Sequence, residues 1–385
     1  MKKSYLMMAA AAMFAACTQT DMVNETPTKE PKPIEFENGF INKSTRSENS
    51  SSNYTLLFSD HHNSFAVWGY KKIEDAPVFN NKLVNVQLGA NAGSEIYSYD
   101  GLVYWDENGG SYQFYAAAPA NHLTWTFVPP TNDEKSNGYF QTSIELDNTN
   151  IHNAHGAHLL SLKPDKDGEG NEKKNQDLLI AAPCQPIIGN TVAFEFIHIL
   201  SRLNVVVSKK PGMAQEVRTF EVSVKNLKMN GTFDEGTPVD NLASGSYARW
   251  TPESDSKADF TAIKAEGAEV QAGVERHVIQ TLVIPQAAAF QDVPIGGPAD
   301  PATAAPYLYV EYGIENGTDA GGNKTFEHFK KYYNLAKVFG MTEGELPFNE
   351  GWENTLTLTI GPASIDFKAA VATWATSGDY EFSLQ

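Results

Sequence analysis

Short segments typical of β-strands recur from Tyr54 to the end of the chain, separated by turn-forming residues. In segment 194–198 Phe194 and Phe196 lie on either side of Glu195, and in segment 220–225 Phe220, Val222 and Val224 alternate with polar residues. A period of two predicts strands that bury one face. Together with 29 glycines and 20 prolines, the pattern predicts an all-β fold of antiparallel β-sandwiches, each with one apolar face turned to its core.

One stretch fits two structures. Phe326, Phe329, Tyr333 and Ala336 lie at roughly helical spacing, whereas the pairs at 332–333 and 338–339 suit strands equally well. The sequence leaves strand and helix open here.

The charge balance excludes one class of partner. The chain carries 29 Lys and Arg against 47 Asp and Glu, for a net charge of −18. Binding to phosphates needs a basic face, and this composition offers none. We therefore predict no nucleic-acid partner.

The N-terminus has the layout of an export signal. Lys2 and Lys3 precede an apolar stretch from Tyr5 to Ala16 that is too short to span a bilayer. The run Phe14-Ala15-Ala16-Cys17 resembles a bacterial lipobox, in which the cysteine is acylated, for example with palmitate, and becomes the new N-terminus. The alternative is an ordinary secretory signal with an incidental cysteine. Lipid on Cys17 would anchor the protein to the outer membrane.

A tether and a short strand follow the cysteine. Thr18 to Lys32 is polar and proline-containing, as expected of a flexible linker. The next segment is apolar at four positions, and Asn42 to Asn53 is a Ser/Asn-rich loop that contains Arg46. The four apolar residues of the predicted strand are Ile34, Phe36, Phe40 and Ile41.

Disulfides cannot stabilise this fold. The chain has only Cys17 and Cys184, so a lipid on the first leaves the second without an intrachain partner. We interpret Cys184, in an apolar run, as a small buried hydrophobe rather than a nucleophile.

No motif predicts catalysis, a metal or a cofactor. His152, His155 and His158 are spaced for a surface turn better than for a metal site. The loop from Asp165 resembles a calcium loop at its start but has Gln176 at the twelfth position, where a bidentate Glu belongs. No phosphate loop, nucleophile elbow or His-Glu-x-x-His motif is found, and His198 reads as a core histidine.

Segments along nearly the whole chain resemble the fimbrillin (Mfa-like) family of type V pilus subunits. Each segment alone is ordinary strand sequence, and their order together with the lipoprotein start carries the resemblance. The segments are Phe14 to Cys17, Ile34 to Arg46, Phe65 to Tyr70, Tyr104-Trp105, Tyr112 to Pro119, Phe196 to Leu203, Leu282 to Gln286, and Ile365 to Phe367 with Trp374.

The resemblance implies two transthyretin-like, Greek-key antiparallel β-sandwich domains in tandem. We expect residues 1–16 to be the signal peptide and 17–46 a lipidated tether with a removable N-terminal strand. Residues 47–205 would form the N-terminal sandwich and 206–385 the C-terminal one, with the junction near residues 200–210.

The resemblance also implies maturation by a trypsin-like protease that cuts after an arginine. Arg46 fits by position, being the only arginine before Arg202, although it could be an ordinary exposed residue. Removing the strand before it would open an apolar groove and a sheet edge that a strand of another chain could fill. The alternating residues Tyr380, Phe382 and Leu384 are the candidate donor, unless they form a terminal strand of their own domain.

These inferences predict a non-enzymatic structural subunit of a cell-surface fimbria that contributes to adhesion. Its partners would be other fimbrial subunits, as a homopolymer or with minor pilins, besides the processing protease and the outer membrane. The alternative from another class is a surface-anchored glycan-binding lipoprotein. In that case Trp68, Trp105, Trp125 or Tyr99 would form a stacking platform for sugar rings.

Overall fold

A computed structural model describes most of the chain. The described residues are 31–41, 56–57, 64–71, 76–87, 95–108, 110–130, 137–146, 177–236, 249–286, 293–294, 296–300, 304–341, 348–373 and 382–383.

Within these residues the secondary structure is almost entirely β. The elements are, in chain order, β1 (Phe36–Ile41), β2 (Leu56–Leu57), β3 (Ser64–Lys71), β4 (Ala76–Gln87), β5 (Ile96–Ser98), β6 (Tyr112–Ala118), β7 (Thr126–Val128), β8 (Tyr139–Glu145), β9 (Leu179–Cys184), β10 (Val192–His198), β11 (Ser201–Lys209), β12 (Val217–Lys228), β13 (Asn230–Asp234), β14 (Trp250–Pro252), β15 (Lys257–Val270), β16 (Arg276–Val283), β17 (Tyr307–Thr318), β18 (Lys324–Asn334), α1 (Leu335–Val338), β19 (Trp352–Ile360), β20 (Ile365–Thr373) and β21 (Phe382–Ser383).

The described strands form four sheets. The first is ordered β2-β1-β10-β9-β6-β3-β4-β5 and the second β14-β13-β8-β7. The third is ordered β16-β11-β19-β20-β21 and the fourth β15-β12-β17-β18. Most neighbours run antiparallel, but β1 is parallel to β10 and β11 is parallel to β19. The predicted all-β class is confirmed, with two parallel pairs that alternation alone does not reveal.

Two large apolar cores hold these sheets. One contains side chains from all four sheets, for example Trp68, Phe140, Val222 and Leu356. The other lies on the opposite face of the first sheet. Strands β3 and β6 lie between the cores and are buried at almost every position. The expectation of a single buried face is therefore wrong for these two strands, because a second core covers their outer face.

The ambiguous stretch contains both structures. Residues 324–334 form β18, and the chain then turns into the four-residue helix α1. The side chain of Asn334 caps this helix by accepting a hydrogen bond from the backbone N–H of Lys337 at 3.0 Å. The aromatic residues at 326–333 thus lie on a strand, and only the last turn is helical.

The second sheet joins distant parts of the sequence. Strand β13, from beyond the predicted junction, pairs with β8, which lies before it, and β14 pairs with the other edge of β13. The indole N–H of Trp250 on β14 donates to the carbonyl of Ile199 at 2.7 Å. Strand pairing therefore crosses the predicted boundary near residue 205, and the division into two domains remains a prediction.

Among the described residues, no helix has the length and apolar character needed to cross a membrane.

Candidate functional site

The N-terminal segment 32–41 is inserted between two other parts of the chain. On one side it pairs antiparallel with residues 103–105. The backbone N–H of Ile34 donates to the carbonyl of Val103 at 2.8 Å, and the N–H of Trp105 donates to the carbonyl of Lys32 at 2.9 Å. The start of the segment is thus a paired strand rather than a loose tail.

The other side of the segment pairs parallel with β10. The backbone N–H of Val192 donates to the carbonyl of Glu35 at 2.8 Å, and Phe36 lies opposite Val192 in the register. The pairing shifts between Glu37 and Phe40, so the strand is irregular there. Beyond the shift Phe40 and Ile41 pair on their other side with β2. The segment therefore fills a slot with neighbours on both sides.

Two side chains anchor the segment in the second apolar core. Ile34 is fully buried, and Phe36 is only 7% exposed. Ring contacts surround Phe36, with centroid separations of 5.6 to 6.2 Å. The rings belong to Phe65, Phe79, Tyr99 and Phe194. Because anchor positions 34 and 36 are two residues apart, both of their side chains enter the core while Glu35 and Glu37 remain exposed. We call the slot that receives this strand the N-terminal groove.

Tyr99 closes the groove over the strand. Its hydroxyl donates to the carbonyl of Ile34 at 2.6 Å, and its ring contacts that of Phe36. Burial raises the pKa of the Tyr99 hydroxyl, so it stays a proton donor. Tyr99 thus holds the strand both at a backbone carbonyl, that of Ile34, and at a side chain, that of Phe36. No sequence motif marks Tyr99 or residues 103–105 for this role, because their pairing with residue 34 is a long-range contact.

The remaining predicted site residues are only partly visible. Cys17, Arg46, Tyr380 and Leu384 lie outside the described residues. Phe40 and Ile41 are described by their backbone pairing alone.

The C-terminal strand β21 pairs antiparallel with β20 of the same chain. Phe382 lies opposite Ala369 and Ser383 opposite Lys368. This is the arrangement expected of a terminal strand of its own domain.

The tryptophans proposed as a sugar platform are mostly core residues. Trp68 and Trp105 are 4% and 5% exposed. The first stacks on Phe127 and the second lies edge-on to Tyr112. Trp125 is half-buried, with its indole N–H bonded to the carbonyl of Pro119. Trp68 and Trp105 are therefore packed inside and present no face to a ligand.

The histidine and cysteine predictions concern residues near β10. His198 is buried, and its Nδ1 lies 2.7 Å from the carboxylate of buried Asp177, so it is a core histidine. Cys184 is half-buried, and burial raises its thiol pKa, which disfavours the thiolate. The histidines at 152, 155 and 158 and the acidic loop at 165–176 lie outside the described residues. In the part that is described, no cluster of three or more His, Cys, Asp or Glu side chains could hold a metal.

Comparison with known proteins points to one family. A family model described as fimbrillin-like matches residues 45–374. No curated protein matches the sequence significantly.

Solved structures align with most of this chain at low sequence identity. A fimbrial protein from Bacteroides vulgatus aligns with a TM-score of 0.50 and 12% identity, covering 88% of this chain and 99% of its own. A proposed cell adhesion protein from Bacteroides uniformis aligns at 0.46 and 15%, covering 91% and 100%. The tip fimbrial protein Mfa3 from Porphyromonas gingivalis, truncated at its C-terminus, aligns at 0.31 and 12%, covering 81% and 94%.

Proposed function

Because the chain belongs to the fimbrillin-like family, we propose that it is a structural, non-enzymatic subunit of a cell-surface fimbria that contributes to adhesion. It is exported as a lipoprotein precursor anchored through Cys17. A trypsin-like protease then cuts after Arg46, and the mature subunit polymerises by strand exchange with other fimbrial subunits.

The observation that carries this proposal is the N-terminal groove. Its occupant precedes Arg46 in the chain, so a cut there separates the strand covalently from the rest of the protein. Departure of the strand would expose the pockets of Ile34 and Phe36, whose burial contributes about 1.5–3 kcal/mol each. It would also leave the N–H groups of Val192 and Trp105 without their present partners. An empty groove is therefore costly. A strand from another subunit can fill the two side-chain pockets and restore the backbone hydrogen bonds.

The C-terminal segment supplies a donor with the right periodicity. Tyr380, Phe382 and Leu384 alternate with polar residues, as Ile34 and Phe36 do in the groove. The described pairing of β21 to its own sheet is limited to two residue pairs. Among the described strands of its sheet β21 is the last in the order, so a donor at this end of the chain would leave from an edge of the sheet, which supports its use as the donor.

The covalent attachment of the N-terminal strand sets the order of cleavage and polymerisation. While the N-terminal strand remains attached, its effective concentration at the groove is far above that of any free subunit. The precursor is therefore expected to stay monomeric until it is cut.

The fate of Arg46 tests the proposal. In cells that assemble fimbriae from this chain, Arg46→Ala should accumulate as the full-length lipoprotein without polymer, as measured by N-terminal sequencing, mass and a gel of surface extracts. Lys43→Ala is the matched control, because it removes a positive charge three residues away in the same Ser/Asn-rich stretch of sequence. This variant should be cut and polymerise normally.

Normal polymers from Arg46→Ala would refute strand removal at this position. A surface-anchored glycan-binding lipoprotein would then be the better reading, since such a protein has no reason to lose its first strand and its lipid.

A further inference from the structure

A second site lies on the fourth sheet, away from the N-terminal groove. A cavity of about 630 Å³ opens beside the loop at 296–298. It lies on the face of β12, β15, β17 and β18 that points away from the core shared by all four sheets. Its wall contains three tyrosines and three charged side chains. The six residues are Tyr307, Tyr309, Tyr332, Glu221, Lys225 and Asp259. We propose that this cavity binds a neutral saccharide, a role independent of strand removal.

The aromatic part of the cavity is tightly built. The rings of Tyr309 and Tyr332 lie 5.0 Å apart between centroids, and Tyr307 lies 6.3 Å from Tyr332. Tyr307 and Tyr309 are buried, and Tyr332 is half-buried. The two buried tyrosines form a small core against which Tyr332 packs, and of the three rings the half-buried Tyr332 is the one that offers an apolar surface to the C–H face of a sugar ring.

The neighbouring loop is shaped around one of these rings. Gly297 has a φ of +95°, a conformation that residues with side chains rarely adopt. A Cβ atom at this position would lie 2.9 Å from the ring of Tyr332. Only glycine allows the loop to approach the ring this closely, so loop and tyrosine together form one wall of the cavity.

The charged part of the cavity is fixed in place. The Lys225 ammonium lies 3.3 Å from a carboxylate oxygen of Glu221 and 3.3 Å from one of Asp259. The same ammonium lies 5.6 Å from the ring centre of Tyr309. The three groups present donors and acceptors within one small space, next to the rings.

This combination favours a neutral, hydroxyl-rich ligand. Two carboxylates against one ammonium leave an excess negative charge that disfavours anions, in a chain whose net charge is already −18. The place of a bound cation is already taken by Lys225, which contacts both carboxylates and an aromatic face. Sugar hydroxyls both donate and accept, so they can bond to these groups without displacing the ion pairs. The volume suits a mono- or disaccharide.

The test is a binding measurement on the full, uncleaved chain. The probes are an immobilised panel of neutral oligosaccharides built from hexoses and N-acetylhexosamines, with sialylated oligosaccharides and a lysine-rich peptide as the charged probes. A neutral member that binds is then titrated in solution. Affinities near the millimolar range are measurable and sufficient, because a pilus presents many copies.

Two variants change the cavity, and one matched variant does not. Tyr332→Leu removes a ring, and Asp259→Asn replaces a carboxylate with an amide of equal size. Asp366→Asn is the control, because Asp366 also pairs with a lysine, Lys210 at 3.4 Å, but lies outside the cavity. We expect about tenfold weaker binding for each cavity variant and unchanged binding for the control.

Thermal unfolding separates lost binding from lost folding, and Asp259→Asn is the variant least able to disturb the fold. The proposal is overturned if no neutral saccharide binds at about 1 mM. It is overturned as well if the cavity variants bind as the wild type does, or if only the lysine-rich peptide or the sialylated probes bind. Because the uncleaved chain is used, none of these outcomes depends on processing at Arg46.

Discussion

Truncating Phe36 to alanine removes the larger of the two side chains that hold the N-terminal strand in its groove. The ring is 7% exposed and contacts four other rings. Transfer of a buried Phe side chain accounts for about 1.5–3 kcal/mol. With the cavity that the truncation leaves behind, the total loss of stability is about 3–5 kcal/mol.

This loss should act first on the strand itself. If strand release and unfolding are separate events, a loss of about 3 kcal/mol increases the population of the released strand by about a hundredfold. The backbone N–H of Val192 reports release directly, because its acceptor is the carbonyl of Glu35 on the strand. Hydrogen exchange at Val192 in the uncleaved chain should therefore accelerate by at least that factor.

The controls separate packing from a general change in stability. Glu37→Ala alters an exposed side chain of the same strand and should change stability by no more than about 0.5 kcal/mol. Phe36→Leu refills most of the cavity and should recover most of the protection. If Phe36→Ala exchanges at Val192 as the wild type does, the strand is not held by this core and the argument for a costly empty groove fails.

Three further predictions concern the anchor, the donor and a buried carboxylate. Cys17→Ser should abolish metabolic labelling with a fatty acid, and label that persists in this variant would contradict acylation at Cys17. Deleting Asp379–Gln385 should permit cleavage after Arg46 yet block chain growth, whereas normal polymers on a gel would exclude this segment as donor. Burial raises the pKa of Glu350 to about 7, although the nearby charge of Arg249 lowers it. The Nε of Arg249 donates a hydrogen bond to the Glu350 carboxylate at 3.1 Å. Because the pKa of Glu350 is higher in the folded state than its unfolded value of 4.5, the neutral form is favoured by folding. The contribution of Glu350 to stability is therefore fully present below pH 4.5 and is lost as the pH rises through about 7. Urea unfolding should show this fall in the wild type and a flatter profile in Glu350→Gln, and equal slopes would contradict it.

Local patterns in the sequence account for the strands and for the spacing of the anchor residues. Segment 194–198 alternates, and the structure places it in β10 with alternate residues buried. Ile34 and Phe36 lie two residues apart and each is followed by a glutamate, which is enough to predict a strand with one apolar face. Such features depend on neighbours in the chain, so they can be read without a fold.

Only the tertiary structure decided which strands meet. Residues 103–105 on one side and β10 on the other complete the groove, and β13 crosses the predicted domain junction to pair with β8. The second core, which buries the outer face of β3, and the cavity beside Tyr332 also depend on distant partners. The physical reason is that side-chain alternation specifies which face of a strand is apolar, whereas backbone hydrogen bonds along its edges are the same for every partner. The choice among partners is therefore made by packing across the whole chain.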